Sequence, residues 1–129
     1  MGRIIVQVEI ANPSEQDKRF KCSMFVDTGA GGLILPLSWK ERLGKLQHAE
    51  NVELLLANHE ILKGEACGPV AIQIDGFRKI FNEVIFMEME ATETGDYQPL
   101  LGYIILEQAQ AAVDMLGHRL IPVKYIDCK

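Results

Sequence analysis

What most constrains this chain is its rhythm. Apolar segments of strand length recur throughout, and turn-forming residues interrupt them about every ten positions, a pattern that leaves no room for long helices and points to a closed or sandwiched all-β fold. Val6, Val8 and Ile10 alternate with Gln7 and Glu9, which predicts a half-buried strand over residues 4–10. Residues 11–19 break it with Asn12, Pro13 and Ser14 and a charged run, so residues 20–26 return as its antiparallel partner. Leu33-Ile34-Leu35-Pro36 is a short apolar run closed by a proline that cannot donate to a ladder. Ser38 can cap a short helix over residues 39–43 that Gly44 stops, with a polar connector over 45–51.

From Val52 the pattern predicts a meander, with strands over 52–57, 61–66, 70–74 and 80–89 and turns at Asn58-His59-Glu60 and Asp75-Gly76. Residues 90–98 read as an exposed loop, 100–106 as a buried run and 106–112 as a helix. Final strands over 112–115 and 120–126 would turn at Leu116-Gly117-His118. The 129 residues, 48% hydrophobic, suit one domain with a genuine core, residues 1–129.

Charge and cysteine usage narrow the function classes. A net charge of −5 with no Lys/Arg cluster gives no electrostatic footprint for nucleic acid or an anionic membrane, so neither partner is expected. Cys22, Cys67 and Cys128 are odd in number and widely spaced, which suits neither a disulfide framework nor a zinc site. The N-terminus lacks an extended apolar stretch and has Val6 where a myristoylation signal wants Ser or Thr. The expectation is a cytoplasmic protein.

One segment carries chemistry. Met24-Phe25-Val26 leads directly into Asp27-Thr28-Gly29-Ala30, so a carboxylate, a hydroxyl and a flexible backbone position stand together where an apolar strand ends. Such a carboxylate performs acid–base hydrolysis when a second one faces it at close range, because the two cannot both ionise and share one proton. Thr28 would then supply a hydroxyl that fixes the loop, and Gly29 would let backbone approach the carboxylates closely. Asp and Gly are also common turn residues, so the tetrapeptide alone reads equally as a loop after a strand.

With more of the chain in view, it resembles the retroviral-type (retropepsin-like) or small single-domain prokaryotic aspartic peptidases. The resemblance is carried by Phe25-Val26, Asp27-Thr28-Gly29-Ala30 and Leu33-Ile34-Leu35-Pro36, then by Leu100-Leu101-Gly102 followed by a short helix, and by Val113-Asp114 with Leu120. It implies a closed β-barrel-like acid-protease fold with one or two short helices, and Asp27, Thr28 and Gly29 as the catalytic loop. Leu100, Leu101 and Gly102 would pack beneath that loop. A hairpin over residues 52–66 would be a flap, with Ala57, Asn58 and His59 at its tip and, with Ala30 and Gly31, in contact with substrate. Two departures stand out: Gly31, Gly32 and Leu33 where retroviral members place Asp or Ser and then Ser or Thr, and a tip, Asn58-His59-Glu60, poorer in glycine.

The resemblance also implies a homodimer. One Asp-Thr-Gly occurs in 129 residues, whereas two-domain members of the superfamily hold two in a much longer chain, so a second copy would supply the other carboxylate across a twofold axis. The expected activity is that of an aspartic endopeptidase acting on a peptide or protein substrate with no cofactor and no metal. His48, His59 and His118 show no ligand spacing, and Gly29-Ala30-Gly31-Gly32 lacks the Lys-Ser/Thr of a phosphate loop. Asp114 reads as structural, in a closing hairpin. The alternatives are a catalytically silent peptide-binding or scaffolding dimer of the same fold and, more remotely, a small-molecule-binding β-barrel.

Overall fold

The chain's first two strands set the frame. In the computed structural model, which describes residues 3–55, 58–91, 93, 95 and 97–124, β1 (Ile5–Asn12) and β2 (Glu15–Val26) form an antiparallel hairpin paired from Ile5↔Phe25 to Ala11↔Arg19. The turn closes at Pro13-Ser14, where the Ser14 N–H donates to the Asn12 side-chain oxygen at 2.9 Å. That turn is tighter than the sequence predicts, and β2 therefore begins at Glu15 instead of Phe20.

After the Asp27 loop come β3 (Leu33–Pro36) and a 3-10 helix, Leu37–Leu43. Next are β4 (His48–Leu55), β5 (Ile61–Ile74), β6 (Ile80–Met87) and β7 (Leu100–Leu101). A six-residue helix, α1 (Tyr103–Gln108), precedes a terminal hairpin of β8 (Ala111–Asp114) and β9 (Arg119–Pro122). The main sheet runs β1-β2-β7-β3-β6-β5-β4, and β1 pairs again with β5 through Val8↔Ile74 to Ala11↔Ala71. Six strands thereby close into a ring, and β4, the seventh strand of this sheet, lies outside it as an edge. The all-β expectation holds, with one 3-10 and one α helix among the described residues.

The inward residues of this ring make the core. Val8, Ile10, Met24, Leu33, Leu35, Val70, Val84, Phe86 and Leu101 are fully buried, each side chain contributing on the order of 1.5–3 kcal/mol over its exposed state. Asn12 is the buried polar residue among those described. Its amide donates to the carbonyls of Leu43 (2.8 Å) and Lys45 (3.0 Å), so burial leaves no unmet polar group and ties the 3-10 helix to β1. Phe20, Trp39 and Tyr97 form an edge-to-face series on the same side, with the Arg42 guanidinium 4.6 Å above the Trp39 ring.

Several boundaries differ from the sequence reading. Residues 61–66 and 70–74 are one strand, because the chain passes Gly68-Pro69 through an irregularity in the β5–β6 register and resumes pairing at Val70. Residues 48–51, expected as connector, pair with residues 65–68 and extend β4. The 3-10 helix starts at Leu37 after Pro36, with no side-chain cap from Ser38. The helix expected over 106–112 begins at Tyr103 and ends where Gln110 adopts a left-handed φ of 58°, so Tyr103 and Ile104 are exposed instead of buried. No helix among the described residues is long and apolar enough to cross a membrane.

Candidate active site

Asp27 sits where β2 leaves the sheet. Its predecessors are pinned on both sides: Val26 N–H donates to the Ile4 carbonyl and Phe25 N–H to the Pro99 carbonyl, each at 2.9 Å. β2 and β7 run parallel through Phe25↔Leu100 and Val26↔Leu101, while β3 meets β7 antiparallel through Leu33↔Leu101 and Ile34↔Leu100. The short β7 is thus a wedge between the strand entering the Asp27 loop and the strand leaving it.

Backbone hydrogen bonds then fasten the loop. Asp27 N–H donates to the Leu101 carbonyl, Gly102 N–H to Gly32, Tyr103 N–H to Ala30 and Ile104 N–H to Gly31, all at 3.0 Å, and Ala30 N–H closes back on the Asp27 carbonyl at 3.1 Å. The first turn of α1, whose N–H groups have no partner inside the helix, so satisfies the loop's carbonyls. This approach requires glycine at position 102: a Cβ there would lie 2.5 Å from the Gly32 oxygen and 2.6 Å from both the Ala30 oxygen and the Gly31 carbonyl carbon. Leu100-Leu101-Gly102 and Asp27–Gly31 therefore form one unit.

Within that unit, Asp27 is partly buried, Thr28 and Gly29 are exposed, and Ala30, Gly31 and Gly32 are partly exposed. One Asp27 carboxylate oxygen accepts the Gly29 N–H at 2.9 Å, and a Cβ on Gly29 would come within 3.2 Å of that oxygen. The second oxygen has no hydrogen-bond partner among the described residues, and neither does the Thr28 hydroxyl. A carboxylate held by one backbone donor and open on its other oxygen can accept a proton from water or from a facing acid.

Beside it runs an apolar row that sequence reasoning missed. Phe25, Leu100, Ile34 and Ile85 are aligned across β2, β7, β3 and β6, so they share one face of the sheet, and all four are half-exposed. The next row, Val26, Leu101, Leu33 and Val84, is buried in the core. The signal was present as alternation, but these strands are apolar on both faces, and only pairing reveals which residues are open. Gly32, Tyr103 and Ile104 were likewise given no role in the loop, because their contribution is through backbone atoms.

The expected hairpin is formed by β4 and β5. At its tip, Glu60 N–H donates to the Asn58 side-chain oxygen at 3.0 Å, and His59 takes a left-handed φ of 68°. Asn58 and His59 are exposed, and no hydrogen bond among the described residues joins them to the Asp27 loop. Ala57 lies outside the described residues. No three His, Cys, Asp or Glu side chains converge as metal ligands among the described residues.

No protein-family model and no curated protein matches the chain. Among solved structures its fold is similar to that of the EIAV protease complexed with the inhibitor HBY-793, with a TM-score of 0.64 over 88% of this chain and 94% of that one. The two sequences are 18% identical, so the likeness is one of fold, and the fold is the retropepsin-like one.

Proposed function

We propose that the chain is an aspartic endopeptidase that works as a homodimer, with Asp27 of each copy forming the catalytic pair. The observation that carries this reading is the loop itself. A carboxylate with one oxygen unengaged is suspended from β7 and α1 by backbone hydrogen bonds, in a fold similar to that of a protease solved with an inhibitor bound. One chain contains one such loop, so the second carboxylate must come from a second copy.

The chemistry follows from a shared proton. The ionised Asp27 takes a proton from a water whose oxygen attacks the scissile carbonyl carbon, while the protonated Asp27 of the other copy donates its proton to the carbonyl oxygen. The resulting gem-diol collapses as the Asp27 that took the water's proton gives it to the amide nitrogen and the other Asp27 takes a proton from a gem-diol hydroxyl; the C–N bond breaks, and the pair is left sharing one proton again. Gly29 holds the Asp27 carboxylate through its N–H, the Thr28 hydroxyl is left for the loop of the second copy, Ala30 and Gly31 offer backbone to an extended peptide, and the Phe25, Ile34, Ile85 and Leu100 row receives its apolar side chains. The β4–β5 hairpin, with Ala57, Asn58 and His59 at its tip, is the flap that closes over the peptide.

A second reading, a peptide-binding dimer that cleaves nothing, is favoured by the departures at Gly31, Gly32 and Leu33 and by the glycine-poor tip. One experiment separates the two. The wild-type chain is incubated with a peptide library beside Asp27→Asn, and both are examined by equilibrium sedimentation. Cleavage by a wild-type dimer, lost in a variant that still folds, supports the peptidase. Binding of a pepstatin-type inhibitor without turnover supports the silent dimer, and a monomer at high micromolar concentration would falsify both.

A further inference from the structure

A groove of about 320 Å³ lies between the start of the 3-10 helix and the segment after β6, lined by Pro36, Leu37, Ser38, Glu88, Met89 and Tyr97. It opens where parallel strands β3 and β6 end together at Pro36↔Met87. That is the end of β3 away from the Asp27 loop. Met87 also pairs with Gly64 of β5, so the groove adjoins the root of the β4–β5 hairpin.

Its apolar wall is partly open, with Leu37 41% and Tyr97 36% exposed. Tyr97 is anchored from behind: its ring meets Trp39 edge-to-face at 6.2 Å, and Trp39 meets Phe20 at 5.6 Å. A wall held this way is preformed, so an occupant need not order it.

The charged side chain that lines the groove is a carboxylate. Glu88 lines it, and Glu90 and Glu93 are exposed further along the same segment. None of the three has an ion-pair partner among the described residues. Of the adjoining helix's two cations, Lys40 is engaged by Glu65 and Arg42 rests over the Trp39 and Phe20 rings. From residue 80 to residue 118 the sequence contains no lysine or arginine at all, so the segment itself carries no cation to pair with these carboxylates.

We infer that this groove docks a cationic, aliphatic peptide segment, an arginine or lysine next to leucine-like residues. The aliphatic side chain lies against Leu37 and Met89, and the cation sits between the Glu88 carboxylate and the Tyr97 ring. A guanidinium suits both partners, pairing with a carboxylate while resting on an aromatic face. An anionic segment meets uncompensated like charge, and a neutral apolar one desolvates Glu88 without offering it a partner. This docking needs no chemistry at Asp27 and stands whether or not the chain hydrolyses peptides.

The test uses the full-length Asp27→Asn chain, so that the probe stays intact whatever the wild type does. The probes are fluorescein-labelled octapeptides of alternating leucine and arginine, leucine and glutamate, or alanine and arginine, read by fluorescence anisotropy and mapped by amide chemical shifts. The leucine–arginine peptide should bind at least about tenfold more tightly than either other, as one charge-assisted contact implies, and Glu88→Lys should remove that margin. Shift changes should fall on Leu37, Ser38, Met89 and Tyr97, and Leu37→Ser should weaken binding too. Equal affinity for the arginine and glutamate peptides, undiminished binding to Glu88→Lys, or shift changes confined to residues 27–31 would overturn the assignment.

Discussion

The two regions that carry the expected site residues are built on opposite principles. Around Asp27, backbone groups of residues 27, 30–32 and 102–104 bond to one another, and the buried Leu101 sits directly beneath. In the β4–β5 hairpin, β4 is an edge strand, Leu55 and Ile61 at its far end are 71% and 61% exposed, and among the described residues the tip turn is closed by one side-chain bond. The first region has its geometry imposed by close packing; the second depends on strand pairing along one side. Local opening should therefore reach the hairpin long before it reaches the loop.

The sharpest way to break that comparison is Gly102→Ala. Three backbone atoms stand within 2.6 Å of the added Cβ, and moving them away sacrifices the Gly102-to-Gly32 and Tyr103-to-Ala30 hydrogen bonds. Overpacking combined with lost backbone bonds should destabilise the chain by about 4 kcal/mol or more, measurable as a lowered urea midpoint. An unshifted midpoint would mean that the loop and α1 move apart freely, and the contrast with the hairpin would vanish. Leu101→Ala should follow at about 3 kcal/mol, from a cavity beneath the loop that the two flanking strands cannot close.

These positions also show what was legible beforehand. The β1 alternation, the β3 run ending at Pro36 and the Asp75-Gly76 turn are local patterns, and each appears as expected. Gly102 was recognised by resemblance, but its physical reason, three carbonyl groups crowding one Cα, exists only once β7 and α1 are folded against the loop. The 100–106 run misled for a related reason. Apolar character predicts burial, yet Tyr103 and Ile104 stay exposed because the helix begins one residue after Gly102 to let its N–H groups reach Ala30 and Gly31. The Asn58-His59-Glu60 turn, closed by a local side-chain bond, appears as expected, whereas the single long β5 was decided by its pairing with β4, β6 and β1.

A smaller effect tests how the hairpin is attached at its root. Glu65 of β5 pairs with Lys40 of the 3-10 helix and accepts the Cys67 thiol at 3.1 Å; Lys40, then Cys67, hold its carboxyl below the usual glutamate range. The Cys67 thiol, pushed up to about 12 chiefly by burial, stays protonated as the donor. Because the folded value is the lower one, the stabilisation is present above the ordinary glutamate value and is lost as pH falls through the folded value. Glu65→Gln should therefore cost no more than about 1 kcal/mol at neutral pH, a part-exposed pair being screened by solvent, and nothing in strong acid. Urea unfolding at both pH values checks this. A difference that persists in acid assigns the effect to packing. Asp114, held low by the Gly117 N–H and Arg119, retains its own acid dependence in either protein.

The smallest effect is the most discriminating. His59 holds a left-handed φ of 68°, a conformation glycine adopts without strain, so His59→Gly relieves roughly 1 kcal/mol in the folded chain. It also frees the unfolded chain by a similar amount, leaving a net change within about 0.5 kcal/mol. If the hairpin opens independently, global unfolding should be unmoved while amide exchange in residues 50–55 and 61–64 speeds up, since the turn that sets their register has been loosened. If instead the unfolding free energy falls by much more, the tip belongs to the same cooperative unit as the Asp27 loop. A hairpin so coupled could not serve as an independently moving lid, and the proposed closure over substrate would have to involve the whole ring of strands.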